Sequence, residues 1–205
     1  MALDLTALQT LAETCAPAVA PATLLAIGQA ESGSDPLAIG VNGSTPRRLT
    51  FPTPAAAAAA ARRLIAAGGD IDLGLGQINM RNLRRLGLSV EAAFDPCRNL
   101  AASAQVLAEN YLRTPPSAGN QQMRLRTALS YYNTGRPDRG FANGYVARVS
   151  AAAAHIVPAL APPAAPAAAA PTPPPAGRAA TPAWAVFGGM TAAPFVFTLA
   201  NGATP

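Results

Sequence analysis

The chain has 205 residues, of which half are apolar and 12% are charged, so it is long enough for one domain with a hydrophobic core and for an additional tail. All 15 basic residues are Arg, which excludes any mechanism that depends on a Lys amine. With one His and two Cys, a four-ligand zinc site would need acidic ligands from elsewhere, and no spacing supports such a site.

The formal charge of +5 suits an anionic partner such as nucleic acid, a membrane surface or a cell wall. The Arg residues are scattered, apart from pairs at 47–48, 62–63 and 84–85. We interpret these pairs mainly as solvated faces rather than as a nucleic-acid site, so no nucleic-acid partner is expected.

Two helices are predicted before residue 34. Apolar residues at helical spacing predict the first over residues 4–14. Pro21 stands where a first helical residue belongs, and the apolar stretch after it leads toward Glu31. Gly33 is the predicted end of this second helix.

A small β element is predicted directly after the second helix. Two short apolar runs within residues 37–51 flank Asn42-Gly43, a pair that is typical of a hairpin turn. Further helices are predicted over residues 54–67, 96–112, 121–132 and 143–155. The expected fold class is therefore α+β and predominantly helical, with one small hairpin or sheet.

The composition changes near residue 157, which predicts a domain over 1–157, an Ala/Pro-rich linker over 158–182 and an apolar tail over 183–205. Trp184 to Ala200 is about the minimum length for a membrane span, but Pro194 interrupts it. A disordered tail is favoured, a partner-docking segment comes next, and stable membrane insertion is least expected. The N-terminus has no basic region of the signal-peptide type.

Glu31 is the first candidate for chemistry. The other three Glu residues occupy polar surroundings on predicted helices and are expected at the surface. Glu31 instead closes an apolar helix, where burial disfavours the carboxylate and raises its pKa toward neutrality. A carboxyl that is protonated at neutral pH can donate a proton to a glycosidic oxygen. The alternative is a solvent-exposed Glu at the C-terminus of a helix.

Two later segments offer polar groups for a ligand. In Gly74-Leu-Gly-Gln-Ile-Asn79, Gln77 and Asn79 provide donors and acceptors beside small residues. We reject a dinucleotide loop here, because the third Gly and the strand–helix context are missing. In Ser130-Tyr-Tyr-Asn-Thr-Gly135, two Tyr and an Asn could line a sugar cleft, and ordinary C-capping with core packing is the alternative.

These segments occur in an order that resembles the soluble lytic transglycosylase family, over about residues 10–157. The order is Glu-Ser-Gly, Gly-Leu-Gly-Gln-Ile-Asn, Tyr-Tyr-Asn-Thr-Gly and Tyr-Val-Ala-Arg-Val. The most similar branch is the small transglycosylases of type IV secretion and conjugation systems. Three further segments carry that likeness, namely Cys15-Ala-Pro17, Ala38-Ile-Gly-Val-Asn-Gly43 and Phe94-Asp-Pro-Cys-Arg-Asn-Leu100.

The resemblance implies a lysozyme-like fold, with a cleft between a helical lobe and a small sheet. It implies that Glu31 is a single catalytic acid and base. The substrate-binding residues expected around it are Ser32, Gln77, Asn79, Tyr132, Asn133 and Tyr145. Two positions depart from the family pattern, since Gly76 stands where many relatives carry a bulkier residue and Thr134 where Ala is usual.

The implied reaction cleaves peptidoglycan between N-acetylmuramic acid and N-acetylglucosamine and closes a 1,6-anhydro ring, without metal or cofactor. The implied location is the periplasm. The implied role is to open the wall for a secretion apparatus, whose channel components the tail could contact. A hydrolytic lysozyme with Asp35 as second carboxylate, a Cys–His peptidase and a catalytically silent, peptidoglycan-binding assembly factor are the alternatives.

Cys15 and Cys97 allow two interpretations. In an exported protein they could form one disulfide, which would close a large loop and stabilise the fold by about 4–5 kcal/mol, less any strain. In a cytosolic protein they would be two buried free thiols.

Overall fold

The structure is a computed structural model that describes residues 2–160. The helices in this range are α1 (Leu5–Cys15), α2 (Pro21–Ser32), α3 (Pro54–Ala66), α4 (Pro96–Arg113), α5 (Gln121–Thr134), α6 (Arg139–Ala142) and α7 (Tyr145–Leu160). The strands are β1 (Ile39–Val41), β2 (Arg47–Leu49), β3 (Ile71–Leu73) and β4 (Ile78–Asn79). The predicted α+β class, mainly helical with a small sheet after Glu31, is confirmed.

The helices begin at the Pro and capping residues from which their starts were predicted. Pro is the first residue of α2, α3 and α4, where its missing N–H costs nothing. The Thr53 and Asp95 side chains cap α3 and α4 by accepting main-chain N–H groups of their first turns. Gly33 ends α2 in the left-handed conformation, with φ of 63°, as its sequence position predicts.

The sheet has the antiparallel order β2-β1-β3-β4. The hairpin lies where Asn42-Gly43 indicated, but β1 and β2 pair from Val41↔Arg47, so the turn is longer than two residues. The Asn42 N–H donates to the carbonyl of Asp70, the residue before β3, at 2.9 Å, so Asn42 continues the pairing of β1 with β3. Strands β3 and β4 were not predicted, since three and two residues are too few to show alternation.

Two hydrophobic clusters define two lobes. The first lies among α1, α2, α4, α5 and α7 and includes Leu25, Leu107 and Val149. The second lies between the sheet and α3 and includes Ile39, Ala61 and Leu73. Helix α4 contributes to both clusters and therefore joins the lobes.

Two boundaries differ from the prediction. A short helix, α6, precedes α7, and α7 continues to Leu160 rather than ending at His155. Residues 158–160, predicted as the start of the linker, are therefore the end of a helix. The rest of the predicted linker and the whole predicted tail lie outside the described residues.

Cys15 and Cys97 form a disulfide that joins the C-terminus of α1 to the first turn of α4, with their Cα atoms 5.3 Å apart. It closes a loop over a sequence separation of 82 residues, which includes α2 and the whole sheet. The loop therefore encloses Glu31, on the helix that packs against both α1 and α4.

Candidate active site

A cleft of about 480 Å³ lies between the helical lobe and the sheet. Five of the residues predicted from the sequence line it, namely Glu31, Gln77, Asn79, Tyr132 and Asn133. They come from α2, the β3–β4 segment and α5, which are far apart in the chain. The fold thus assembles the separate sequence motifs into one polar groove.

Glu31 is the penultimate residue of α2, and its carboxyl faces this groove while protein surrounds most of it. Burial raises the pKa of Glu31 from 4.5 to about 7, because the charged form loses its hydration. Arg48, on β2, donates to the Glu31 main-chain carbonyl and so ties the hairpin to the C-terminus of α2. The pair at 47–48 was predicted to be solvated, and Arg48 makes this specific contact although it is exposed.

Tyr145 lies behind Glu31 rather than on the cleft surface, and is 1% exposed. Its hydroxyl is close enough to lower the pKa of Glu31, although the pair falls short of full hydrogen-bond geometry. The Arg148 guanidinium lies 5.7 Å from the centroid of the Tyr145 ring and also lowers the pKa of Glu31. Helix α7 therefore places a hydroxyl and a cation where they favour the Glu31 carboxylate.

Tyr132 lines the cleft next to the same carboxyl. Its hydroxyl donates to the Gly76 carbonyl at 2.7 Å. Burial and the neighbouring Glu31 raise the pKa of Tyr132, so the phenol stays protonated and remains a donor.

Asn99 holds the segment around Gly76 in place. It belongs to the Phe94–Leu100 motif, but the sequence predicted no role for it. The Asn99 side chain accepts from the Gly76 N–H at 2.8 Å and donates to the Leu73 and Ala93 carbonyls at 2.9 and 2.7 Å. A side chain at Gly74 would overlap this amide, which explains the glycine there.

Gln77 has a positive φ of 49°, an uncommon conformation for a residue other than Gly. Its amide nitrogen donates to the Gly74 carbonyl at 2.8 Å and to the Ala38 carbonyl at 3.3 Å. A Cβ at Gly40 would lie 2.5 Å from the Gln77 carbonyl oxygen, so a larger residue at position 40 would displace this side chain. The amide nitrogen is thus occupied by the protein, and its oxygen is the group left for a ligand.

Asn79 is engaged in a cluster that the sequence did not reveal. Its amide nitrogen donates to Asp70 at 2.7 Å and to Asp72 at 2.8 Å, while its oxygen accepts from the Arg81 N–H at 3.1 Å. Asn79 therefore holds two cleft carboxylates together. Because its amide nitrogen and oxygen both have partners in the protein, they are less available to a glycan than predicted. The sequence signal that could have identified Asp72 is its position two residues before Gly74, where the Gly-Leu-Gly-Gln-Ile-Asn motif begins.

Asn133 is exposed on the cleft wall at the end of α5. Its oxygen accepts from the Asn143 amide at 2.9 Å, so its own N–H₂ points away as a donor. Asn143 also caps α7 through the Tyr145 N–H at 3.0 Å. One side chain thus orients Asn133 and fixes the start of the helix that carries Tyr145.

Ser32 is not brought into the cleft, which corrects its predicted contact with substrate, and Asp35, the second carboxylate of the lysozyme alternative, does not line the cleft either. The buried Ser32 hydroxyl donates to the Gly28 carbonyl one turn earlier, at 3.0 Å. Asp35 accepts from the Leu37 N–H at 3.0 Å, as a turn-forming Asp does. Because Ser32 follows Glu31 in a helix, it points about 100° away from it.

A second cavity of about 410 Å³ lies among α1, α2 and α7 and has mostly apolar walls, such as Leu5, Leu8 and Ile156. Among residues 2–160, no carboxylate lines this second cavity. Within residues 2–160, no three His, Cys, Asp or Glu side chains gather in a way that could hold a metal ion. The same range contains no helix long and apolar enough to cross a membrane.

A family model described as "Transglycosylase SLT domain" matches residues 10–154. The chain belongs to this family. The matched range contains all the residues that line the cleft, from Glu31 to Thr134, and also Tyr145 behind it. The match confirms the resemblance inferred from the motifs.

Individual relatives of this SLT domain are similar over the same range. "Protein virB1" of Agrobacterium fabrum is 43% identical over 149 residues, 73% of this chain and 60% of that protein. "Protein virB1" of Rhizobium radiobacter is 43% identical over 152 residues, 74% of this chain and 63% of the relative. "Type IV secretion system protein virB1" of Brucella suis is 39% identical over 149 residues, 70% of this chain and 62% of the relative. The chain thus matches less than two thirds of each relative's length, and no solved structure matches it significantly.

Proposed function

We propose that this chain is a lytic transglycosylase that cleaves the β-1,4 bond between N-acetylmuramic acid and N-acetylglucosamine in peptidoglycan. The observation that carries the proposal is the Glu31 carboxyl, which has a pKa of about 7 in a polar cleft. A group with this pKa can act as an acid and then as a base near neutral pH. Membership of the SLT family supports the reaction class.

In the first step, protonated Glu31 donates its proton to the glycosidic oxygen. The bond from that oxygen to the muramic C1 breaks, and N-acetylglucosamine leaves as an alcohol. Positive charge forms on the muramic ring, where the substrate's own acetamido oxygen can stabilise it. Burial prepares Glu31 for this step, because it keeps the proton on the carboxyl until the substrate arrives.

In the second step, the muramic C6 hydroxyl attacks C1 and transfers its proton to the Glu31 carboxylate. A 1,6-anhydro ring closes, no water is consumed, and Glu31 is protonated again. The carboxylate between the two steps is stabilised by the Tyr145 hydroxyl and the Arg148 charge, which both favour its ionised form. Helix α7 thus serves the base half of the cycle.

Recognition of the glycan is assigned to cleft groups that the fold leaves available. The Asn133 N–H₂ is free to donate to a sugar or acetamido oxygen, since Asn143 occupies its carbonyl. The Gln77 oxygen is available to accept from a hydroxyl or amide, since its nitrogen is occupied. An uncharged sugar chain is matched by such amide groups.

Digestion of purified peptidoglycan, followed by mass spectrometry of the soluble products, tests the reaction. We expect 1,6-anhydro-muropeptides from the unaltered chain and a loss of about 100-fold or more in rate for Glu31→Gln. Glu13→Gln is the matched control, because Glu13 is an exposed Glu on α1 and should be replaceable. Products with only reducing ends would identify a hydrolytic lysozyme, and unchanged activity in Glu31→Gln would identify a different catalytic group.

The proposed role is local opening of the cell wall for a type IV secretion system, in the periplasm. It is supported by the similarity to the relatives named virB1 and by the Cys15–Cys97 disulfide, which persists in oxidising compartments. The proposal extends to the predicted tail as a contact for secretion-channel components. Co-purification with those components tests it, comparing the full chain with one truncated after Leu160, and equal retention would eliminate the tail contact.

A further inference from the structure

The cleft contains a second carboxylate, Asp72, that shares the groove with Glu31. Asp72 lies on β3, between the two strands that flank it in the sheet. Its Oδ2 accepts from the Asn42 amide and its Oδ1 accepts from the Asn79 amide, both at 2.8 Å. Each oxygen is therefore held from a different side, and the carboxylate is fixed in place.

The hydrogen bonds to Asp72 favour its ionised form, against the effect of burial, which raises the pKa of this carboxyl. The Asn79 amide is oriented by the Arg81 N–H, which donates to its oxygen, so its nitrogen must face the two Asp side chains. Two amide nitrogens thus donate to the two oxygens of Asp72, and neither of these contacts needs a proton on the carboxyl. Its neighbour Asp70 is paired with the Arg81 guanidinium at 3.4 Å, whereas no such pair involves Asp72 within residues 2–160.

We propose that Asp72 is a second, ionised carboxylate of the reaction, which stabilises the positive charge that forms on the sugar when Glu31 gives up its proton. This inference rests on the proposed function. The physical basis of the proposal is that a partly buried anion held by hydrogen bonds needs no reorganisation when the positive charge develops. The carboxylate acts through its field, and no bond to the sugar is required.

The same anion affects Glu31 before the reaction begins. Asp72 raises the pKa of Glu31, after the larger effect of burial, whereas Asp70 has no such effect among the interactions found. Removing the Asp72 charge should therefore lower the pKa of Glu31 and favour its carboxylate. The ionisable groups that face Glu31 are Tyr145 and Arg148 from α7, Tyr132 from α5, Asp72 from β3 and Arg48 from β2.

The test compares Asp72→Asn with the matched control Asp70→Asn in the full chain, with anhydro-muropeptide release measured from pH 4 to 9. For Asp72→Asn we expect the rate at the pH optimum to fall about tenfold or more. We also expect the fall in rate on the basic side of the pH–rate profile to move to lower pH, because the pKa of Glu31 is lowered. In Asp70→Asn the basic side of the pH–rate profile should stay at the pH of the unaltered chain. The proposal would be overturned if Asp72→Asn lost no activity. It would also be overturned if the rate fell equally at every pH and the basic side of the profile did not move, because a purely structural role changes no pKa.

Two further measurements keep the inference testable if Asp72→Asn folds poorly or if the reaction differs. Asn42→Ala keeps the charge of Asp72 but removes one donor to its carboxylate, so the acid side of the pH–rate profile should move to higher pH. An acid side that does not move contradicts the proposal.

NMR titration of ¹³C-labelled Glu carboxyls should show a lower titration midpoint for Glu31 in folded Asp72→Asn than in the unaltered chain. An unchanged midpoint refutes the coupling between the two carboxyls. This readout needs no activity, so it separates failure of the inference from failure of the proposed function.

Discussion

The Tyr132 hydroxyl donates a hydrogen bond of 2.7 Å to the Gly76 carbonyl, which links α5 to the β3–β4 segment across 56 residues of sequence. The same hydroxyl lies near enough to Glu31 that the carboxylate raises the Tyr132 pKa. One contact therefore connects the two walls of the cleft beside the proposed acid. Removing this hydrogen bond should lower both the stability of the fold and the activity.

We expect Tyr132→Phe to lower the free energy of unfolding by about 1–2 kcal/mol, because the buried Gly76 carbonyl loses its donor. Activity should fall at the same time, since the cleft walls lose a link beside Glu31. Urea unfolding and product release measure the two effects. Tyr131→Phe is the matched control, because the Tyr131 ring that packs under Arg113 is retained. Equal behaviour of the two variants would contradict the assignment.

Gly76→Ala should destabilise the fold by about 1–3 kcal/mol through overpacking. A Cβ at this position would overlap the Ser103 hydroxyl and lie 2.8 Å from the Tyr132 hydroxyl. The added variant Ser103→Ala should recover part of the loss, measured by urea unfolding, because it removes the closest atom. Gly28→Ala is the control, since a Cβ there meets only the Leu75 carbonyl, at 4.0 Å. If the Gly28 change were the costlier one, the packing argument would be wrong.

Glu31→Gln should stabilise the protein at pH 8 but have little effect at pH 4. The folded-state pKa of Glu31 is raised to about 7 from 4.5, so stability is highest below 4.5 and falls as the pH rises through 7. The shift corresponds to about 3 kcal/mol at most, and a neutral Gln avoids that cost. Urea unfolding at both pH values measures it, and Glu13→Gln should show no such difference. A gain of the same size at both pH values would refute the pKa assignment.

Replacing both Cys15 and Cys97 with Ser should reduce the free energy of unfolding by about 2–5 kcal/mol, because the disulfide closes a long loop in the unfolded chain. The cleft residues are not bonded to either sulfur, so specific activity at low temperature should be retained. Thermal unfolding in the presence and absence of a thiol reductant measures the effect. Reduction of the unaltered chain should lower its stability as much as the double substitution does, and no effect of either would mean that the bond contributes nothing.

The sequence was sufficient for the helical frame and for the catalytic candidate. Pro21 and Gly33 bound the helix of Glu31 by local backbone preferences, which act without any partner from elsewhere in the chain. The apolar surroundings of Glu31 along that helix were enough to predict a raised pKa. The family motifs then linked this acid to Gln77 and Asn133.

The tertiary structure alone decided which polar groups meet in the cleft. Strands of two or three residues have no local signature, and they form because hydrogen bonds join segments that are distant in the chain. Through that pairing Asp72, rather than Asp35, becomes the carboxylate that faces Glu31, and Asn79 becomes the clamp that holds it. The candidate acid was therefore predictable from its local sequence together with the family motifs, whereas the charges that tune its pKa depend on which distant residues the fold brings beside it.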